Sequence, residues 1–339
     1  MKCFNMSESI SECSEASIQS PRNVSITVVT PIYNRSDTFK RTLDSVLREI
    51  SIDNEYIIVS DGSEDFQNLE SVYLQAGVNN QVHLLERKKN EGTCAAINYG
   101  CKHSTGDWIM FLGSDDELSV GSLKFAKEFL LSMGEEIDFV YYSMIYRSGE
   151  IRPNVLPPTE LSLARYLTHI NRVLGVDQEL GLLIRKNRLL ENPLPENHAY
   201  EDEFHLAINS KLKGIFTPLV LKIINTDAKN RASKPSMIIA KHRDVEKYWG
   251  QMQGFANVIL KYWRPLVRIA PRYYFSIVRK YFRRGLLLFK NSPLSFPIYF
   301  KKVDAKALVC IFFGLFYFLL YYPIYKVKNR FKIHSIFKS

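Results

Sequence analysis

The chain has 339 residues, room for one large domain or two ordinary ones, and its 46% apolar content supplies a sizeable core. The net charge of +10 is uneven: from Lys247 to Ser339 there are 18 Lys/Arg against one acid, Asp304, so a basic tail follows an acidic globular part. The five cysteines (Cys3, Cys13, Cys94, Cys101, Cys310) have no CxxC spacing, which excludes a disulfide framework and suits a reducing, cytoplasmic compartment.

Residues 1–22 contain no apolar core of signal-peptide length and read as a disordered polar arm. "NVSITVVTPIY" (Asn23 to Tyr33) is β-branched and almost continuously apolar, the pattern of a buried parallel strand. Ser36 offers an N-cap for a helix carrying Phe39, Leu43, Val46, Leu47 and Ile50 at helical spacing. A second strand, "EYIIVSDGS", ends in Asp61-Gly62-Ser63, and helical sequence through Leu74 leads to a third, "QVHLLER". The stretch from Gly92 to Lys102 predicts a helix with Cys94, Ile97 and Cys101 on one face, before a fourth strand in "DWIMFLGSDDEL". Alternation on this scale predicts a parallel, doubly wound α/β sheet. Farther on, "IDFVYYSMIYR" reads as a strand, "ELGLLIRKNRLL" as a strand entering a helix, and "AYEDEFHLAINSKL" as an amphipathic helix opened by acids. From Tyr248 the periodicity is helical, broken by Pro265, Pro271, Pro293 and Pro297.

Doubly wound sheets bind ligands beyond the carboxyl ends of their strands. Three strands end there in polar groups: Thr30-Pro31-Ile32-Tyr33-Asn34, Ser60-Asp61 and Ser114-Asp115-Asp116. Neither a GxGxxG fingerprint nor a Walker loop follows the first strand, so a dinucleotide or P-loop nucleotide is not indicated. The pattern fits a nucleotide held by strand-end carboxylates and a metal rather than by a glycine-rich cradle. Each motif also has a purely structural alternative. Asp115-Asp116 would cap a helix near Leu118, Asp61-Gly62-Ser63 would be a turn, and Glu201-Asp202 would complement a helix dipole. Tyr33 would be ordinary core, and His198 and His205 surface histidines.

"ITVVTPIYNRSDTFKRTLDSVL", "EYIIVSDGSEDF", "NEGTCAAINYGCKHSTGDWIMFLGSDDEL" and "YEDEFHLAI" resemble, in content, order and spacing, the family 2 glycosyltransferases of bacterial surface-polysaccharide synthesis. The resemblance covers residues 24 to about 225. It implies a GT-A fold, a doubly wound mixed sheet flanked by helices, and inverting transfer from a sugar nucleotide, most often a UDP-sugar, with Mg²⁺ or Mn²⁺. By position, Tyr33 would stack on the base, with Thr30, Pro31 and Asn34 around it and Asp61 accepting from the uracil ring. Asn98 would belong to the donor-side helix, Asp115 would touch ribose and metal, and Asp116 would bind the metal directly. Asp202 would be the general base. Two departures stand out: Gly113 replaces the first acid of an Asp-x-Asp-Asp loop, and Ile97 replaces an Arg before Asn98. The metal is then left with two carboxylates, diphosphate oxygens and water, and Arg87, Lys88 or Lys89 would have to supply the lost charge.

The expected organisation is a polar arm at 1–22, a glycosyltransferase domain at 23–240 and a basic helical region at 241–339. The uncharged run Ala307 to Tyr325, flanked by lysines and Arg330, is about the length that spans a hydrocarbon core, ~28 Å as a helix. Its aromatic, aliphatic company favours an anionic membrane surface over nucleic acid. The expected place is the cytoplasmic side of the inner membrane, with a glycan or lipid-linked acceptor. A non-catalytic nucleotide- or glycan-binding protein on the same fold is the rival reading.

Overall fold

The computed structural model describes residues 24–153, 159–172, 180–196, 201–226 and 245–291. The polar arm, His198 and the run Ala307 to Tyr325 lie outside the described residues. The first half alternates as its pattern predicts: β1 (Ile26–Ile32), α1 (Ser36–Leu47), β2 (Asn54–Asp61), α2 (Phe66–Gln75), β3 (Val82–Arg87), α3 (Thr93–His103) and β4 (Trp108–Phe111). There follow β5 (Glu117–Leu118), α4 (Ser122–Ser132), β6 (Phe139–Tyr146), β7 (Ile151–Arg152), β8 (Thr159–Leu161) and α5 (Leu163–Arg172). Then come β9 (Gly181–Arg185), α6 (Lys186–Glu191), α7 (Asp202–Lys211), β10 (Gly214–Ile224), α8 (Val245–Ile269) and α9 (Pro271–Asn291).

Among the described residues the strands form one ten-stranded sheet ordered β3-β2-β1-β4-β9-β6-β10-β5, with β7 on β6 and β8 on β10. β1 runs parallel to β2 and β4, so their carboxyl ends open on the same edge. The alternation alone predicts a parallel sheet, and there the structure corrects it: β9 is antiparallel to both β4 and β6. The sheet is therefore mixed, as the GT-A resemblance implies.

Strand side chains alternate between two cores, as a period of two requires. Ile26, Val28, Tyr56, Ile58 and Met110 meet Phe39, Leu43 and Val46 of α1 and Leu123 and Ala126 of α4. Val29, Ile57, Val59 and Ile109 meet Cys94, Ile97 and Cys101 of α3 on the other face. That second core also takes in Phe204 and Ile208 of α7, Phe255, Val258 and Ile259 of α8, and Tyr273, Ile277 and Val278 of α9. The two C-terminal helices thus share the core that carries β1, and among the described residues no helix is long and apolar enough to cross a membrane.

Some local expectations change. Ser36 is the first helical residue rather than the cap, and its N–H donates to Asp65 Oδ2 at the head of α2 at 2.9 Å. Pro265 sits inside α8 without ending it, whereas Pro271 opens α9, where its missing N–H costs no helical bond. β10 has no counterpart in the sequence reading, because Pro218 interrupts its apolar pattern. The register against β6 slips between Thr217 and Val220, so the strand continues past the proline as a bulge.

Candidate active site

β4 ends at Phe111, and Leu112 N–H still donates to Val29 O at 3.1 Å before the chain turns, Asp116 N–H returning to Gly113 O at 3.1 Å. α1 supports this turn from beneath. Thr42 Oγ1 donates to Asp116 O (2.7 Å), Arg41 Nη2 to Asp115 O (3.1 Å), and Leu118 N–H to Ser45 Oγ (3.0 Å). The turn leads into strand β5, so Asp115 and Asp116 do not cap a helix near Leu118.

Both carboxylates are buried, Asp115 at 6% and Asp116 at 5% exposure. Arg35, just beyond β1, reaches Asp115 Oδ1 at 3.1 Å. Lys222 of β10 reaches Asp116 Oδ2 at 3.3 Å, and Asn225 N–H donates to Asp116 Oδ1 at 3.2 Å. Burial pushes the Asp116 carboxyl above its ordinary value; Lys222 pulls it down and Asp115 pushes it up again. The raised position means the cations present do not fully offset the loss of water.

Gly113 explains how two like charges pack here. A Cβ at 113 would stand 2.8 Å from Asp116 Oδ2 and 3.3 Å from Asp115 Oδ1, so the two carboxylates lean into the space a side chain would fill. Among the described residues no three His, Cys, Asp or Glu are grouped to hold a metal ion. The carboxylate oxygens of Asp115 and Asp116 are nevertheless of the hard type that Mg²⁺ or Mn²⁺ takes, with phosphate oxygens and water able to complete such a shell.

The other residues that the sequence singles out are placed as follows. Tyr33 is 40% exposed, an open ring at the strand end rather than core. Asn34 adopts a positive φ of 50°, its N–H donating to Ser63 Oγ (3.2 Å) and its Oδ1 accepting from Glu64 N (2.8 Å). The β1 and β2 ends are thereby tied together beside Pro31. Thr30 is fully buried within the sheet and its hydroxyl accepts from Tyr56 OH at 3.1 Å, so its side chain does not reach a ligand. Asp61, 2% exposed, accepts from Arg87 Nη1 (2.6 Å) and Gly92 N (2.7 Å), clamping the loop that starts α3. Arg87 also binds Glu91, so its charge is directed to these acids. Asn98, 4% exposed, exchanges hydrogen bonds with the Leu194 backbone at 2.8 and 3.0 Å and joins α3 to the segment before the acid turn.

That turn is Glu201-Asp202-Glu203 at the head of α7. Asp202 Oδ2 accepts from the Tyr273 hydroxyl, and Glu203 from Lys261 Nζ (2.6 Å) and Asn257 Nδ2 (3.1 Å). Glu201 keeps half of its side-chain surface open and faces His205 Nε2 at 3.6 Å. His205 is no surface histidine, having only 12% side-chain exposure. Asn209 Nδ2 donates to Tyr141 OH (3.0 Å), which lies 2.7 Å from His205 Nδ1. That chain of donors assigns the Nε2–H tautomer, aimed at Glu201. Burial raises the Glu201 carboxyl, but the neighbouring His205 imidazole, with Lys222, outweighs it and holds it below its ordinary value. Lys222 therefore bears on both Asp116 and Glu201. Sequence reading missed Arg35, Lys222, Asn225 and Tyr273; only Arg35 had a signal, sitting directly beside the Tyr33-Asn34 motif.

A mixed sheet flanked by helices, with paired carboxylates buried past the end of a central strand, is the architecture of the GT-A fold. Structural comparison agrees: TarS residues 1–349 of S. aureus, in complex with UDP-GlcNAc, superposes with a TM-score of 0.53 at 16% identity, covering 85% of this chain and 89% of that one. Residues 27–190, just under half of the chain, match the family model Glycosyl transferase family 2. An uncharacterized glycosyltransferase of Rickettsia bellii is 31% identical over 150 residues, which cover 40% of this chain and 21% of that protein. Minor teichoic acid biosynthesis protein GgaB of Bacillus subtilis is 32% identical over 130 residues, 38% of this chain and 14% of the relative. The chain thus spans about a fifth or less of the length of these two relatives.

Proposed function

We propose that the chain is an inverting glycosyltransferase that moves a sugar from a UDP-sugar to a hydroxyl of a glycan or lipid-linked acceptor in surface-polysaccharide synthesis. The observation that carries this reading is the pair Asp115 and Asp116, buried side by side past the end of β4; the Asp202 carboxylate comes from a separate element, α7. Relatives in teichoic acid synthesis and a fold neighbour that binds UDP-GlcNAc support the donor and pathway class.

In this mechanism Tyr33 stacks on the base, and the Thr30–Pro31 backbone and Asn34 shape its pocket. Asp61 and Asn98 hold the walls, the first by fixing the α3 loop and the second by fixing the 194–196 segment. Asp115 and Asp116 would hold Mg²⁺ or Mn²⁺, which would supply Lewis-acid stabilisation of the charge that develops on the diphosphate. Arg35 and Lys222 stand next to those acids and add positive charge on the same side. Asp202 takes the proton of the acceptor hydroxyl as its oxygen attacks the anomeric carbon and the bond to the diphosphate oxygen breaks, which inverts the centre. A positioned base contributes roughly 10²–10⁴ in rate.

A panel of UDP-, GDP- and dTDP-sugars tests this reading by thermal shift and nucleotide release, each with and without Mn²⁺. Stabilisation by UDP-sugars and release of UDP are expected. Binding without any release, across glycan and lipid-linked acceptors, would instead favour the non-catalytic binder.

A further inference from the structure

The head of α9 is built against the Glu201–Glu203 turn. Asn171 Oδ1, in the last turn of α5, accepts from the N–H groups of Arg272 (2.9 Å) and Tyr273 (3.3 Å). This is an N-cap supplied by another helix, and it fixes the rotation of α9 at its first turn. Tyr273 is 1% exposed, and its hydroxyl donates to Asp202 Oδ2. α8 grips the next residue of the same turn, with Lys261 and Asn257 on Glu203. A buried phenol hydroxyl and a carboxylate oxygen each lose free energy if left unpaired, so the contact constrains both.

We propose that Tyr273 is a positioning residue for the transfer reaction: it holds Asp202 by Oδ2 and leaves Oδ1 for the acceptor hydroxyl. The α8–α9 pair is then part of the acceptor half of the enzyme and not only a basic tail. This rests on Asp202 being the base, so the test separates the two claims. Full-length wild type, Tyr273→Phe, Asp202→Asn and the double variant are compared for kcat, KM for donor and acceptor, and UDP affinity by calorimetry. Phenylalanine keeps the ring packing, and a thermal midpoint close to wild type checks the fold.

Tyr273→Phe should lower kcat on the order of 10- to 100-fold, with donor KM and UDP affinity unchanged, because a misaimed base loses geometry rather than binding. In the Asp202→Asn background the same change should cost nothing further, since the oxygen it positions no longer acts. Asn171→Ala, which loosens the α9 head without touching the phenol, should give the same split in smaller measure. An inactive Asp202→Asn beside a Tyr273→Phe of normal kcat overturns this proposal alone. So does an equal loss from Tyr273→Phe in both backgrounds. Wild-type turnover in Asp202→Asn overturns the base assignment and this proposal together.

Discussion

Alanine at position 113 would set a methyl group against Asp116, a short side chain held by Asn225 and Lys222 and unable to swing away cheaply. Overpacking of this kind costs about 1–3 kcal/mol. Gly113→Ala should therefore lower the urea midpoint and weaken the rise in thermal midpoint caused by Mn²⁺; an unchanged Mn²⁺ response would remove Gly113 from the account. Asp116 makes a pH prediction. Its carboxyl lies above the ordinary value in the folded chain, so between the ordinary and raised values the folded state holds more protons than the unfolded one. Stability then falls as pH rises through that window. Without divalent ions, Asp116→Asn should be more stable than wild type near pH 7, with the gain vanishing as pH drops below the ordinary carboxylate range. Urea titrations at the two ends of the window check this, and equal stability at pH 7 would contradict it. Asp61, Asp115 and Asp116 were legible in sequence because each closes an unbroken apolar run. Asn225 and Tyr273 were not, because their partners Asp116 and Asp202 lie 109 and 71 residues away and only the fold joins them.

α3 owes its closeness to the sheet to Gly100, where a Cβ would come within 2.7 Å of Val29 Cγ1 and 3.1 Å of Val59 Cγ2. Alanine is favoured over glycine in a helix by about 1 kcal/mol. The two valines are β-branched and have little χ1 freedom to yield. Overpacking at about 1–3 kcal/mol should win, so Gly100→Ala is expected to lower the urea midpoint, and a rise would show that α3 has slack. The elements of the first half were legible because strand and helix periods alternate cleanly there. β10 was not: its proline breaks the apolar run, and its role depends on pairing with β6 and β5. Missing that strand also hid Lys222 and Asn225, which its far end delivers to Asp115 and Asp116. α8 and α9 were legible as helices, but their place on the β1 core was not, since an amphipathic face does not say what covers it.

Across the whole molecule, two parts of the basic C-terminal region are expected to behave differently. Removing residues 245–339 takes Phe255, Val258, Tyr273 and Ile277 out of the core, uncovers the apolar cluster of Ile97, Phe204 and Ile208 that they belong to, and should leave the chain insoluble. Removing only residues 292–339 should leave a folded, active protein that no longer binds anionic liposomes. The membrane proposal predicts that high salt releases the full chain poorly, because apolar burial is not screened. A full chain that ignores anionic liposomes, measured by co-sedimentation, would refute it. The central claim is the division of labour between donor carboxylates and acceptor carboxylate, and one paired measurement reaches it most directly: UDP affinity by calorimetry in Mn²⁺ together with sugar-transfer turnover, for Asp116→Asn and Asp202→Asn. The account predicts that Asp116→Asn loses Mn²⁺-dependent UDP binding and turnover together, while Asp202→Asn binds UDP as wild type does and turns over roughly 10²–10⁴ more slowly. Loss of UDP affinity in Asp202→Asn, or normal turnover in either variant, would contradict it.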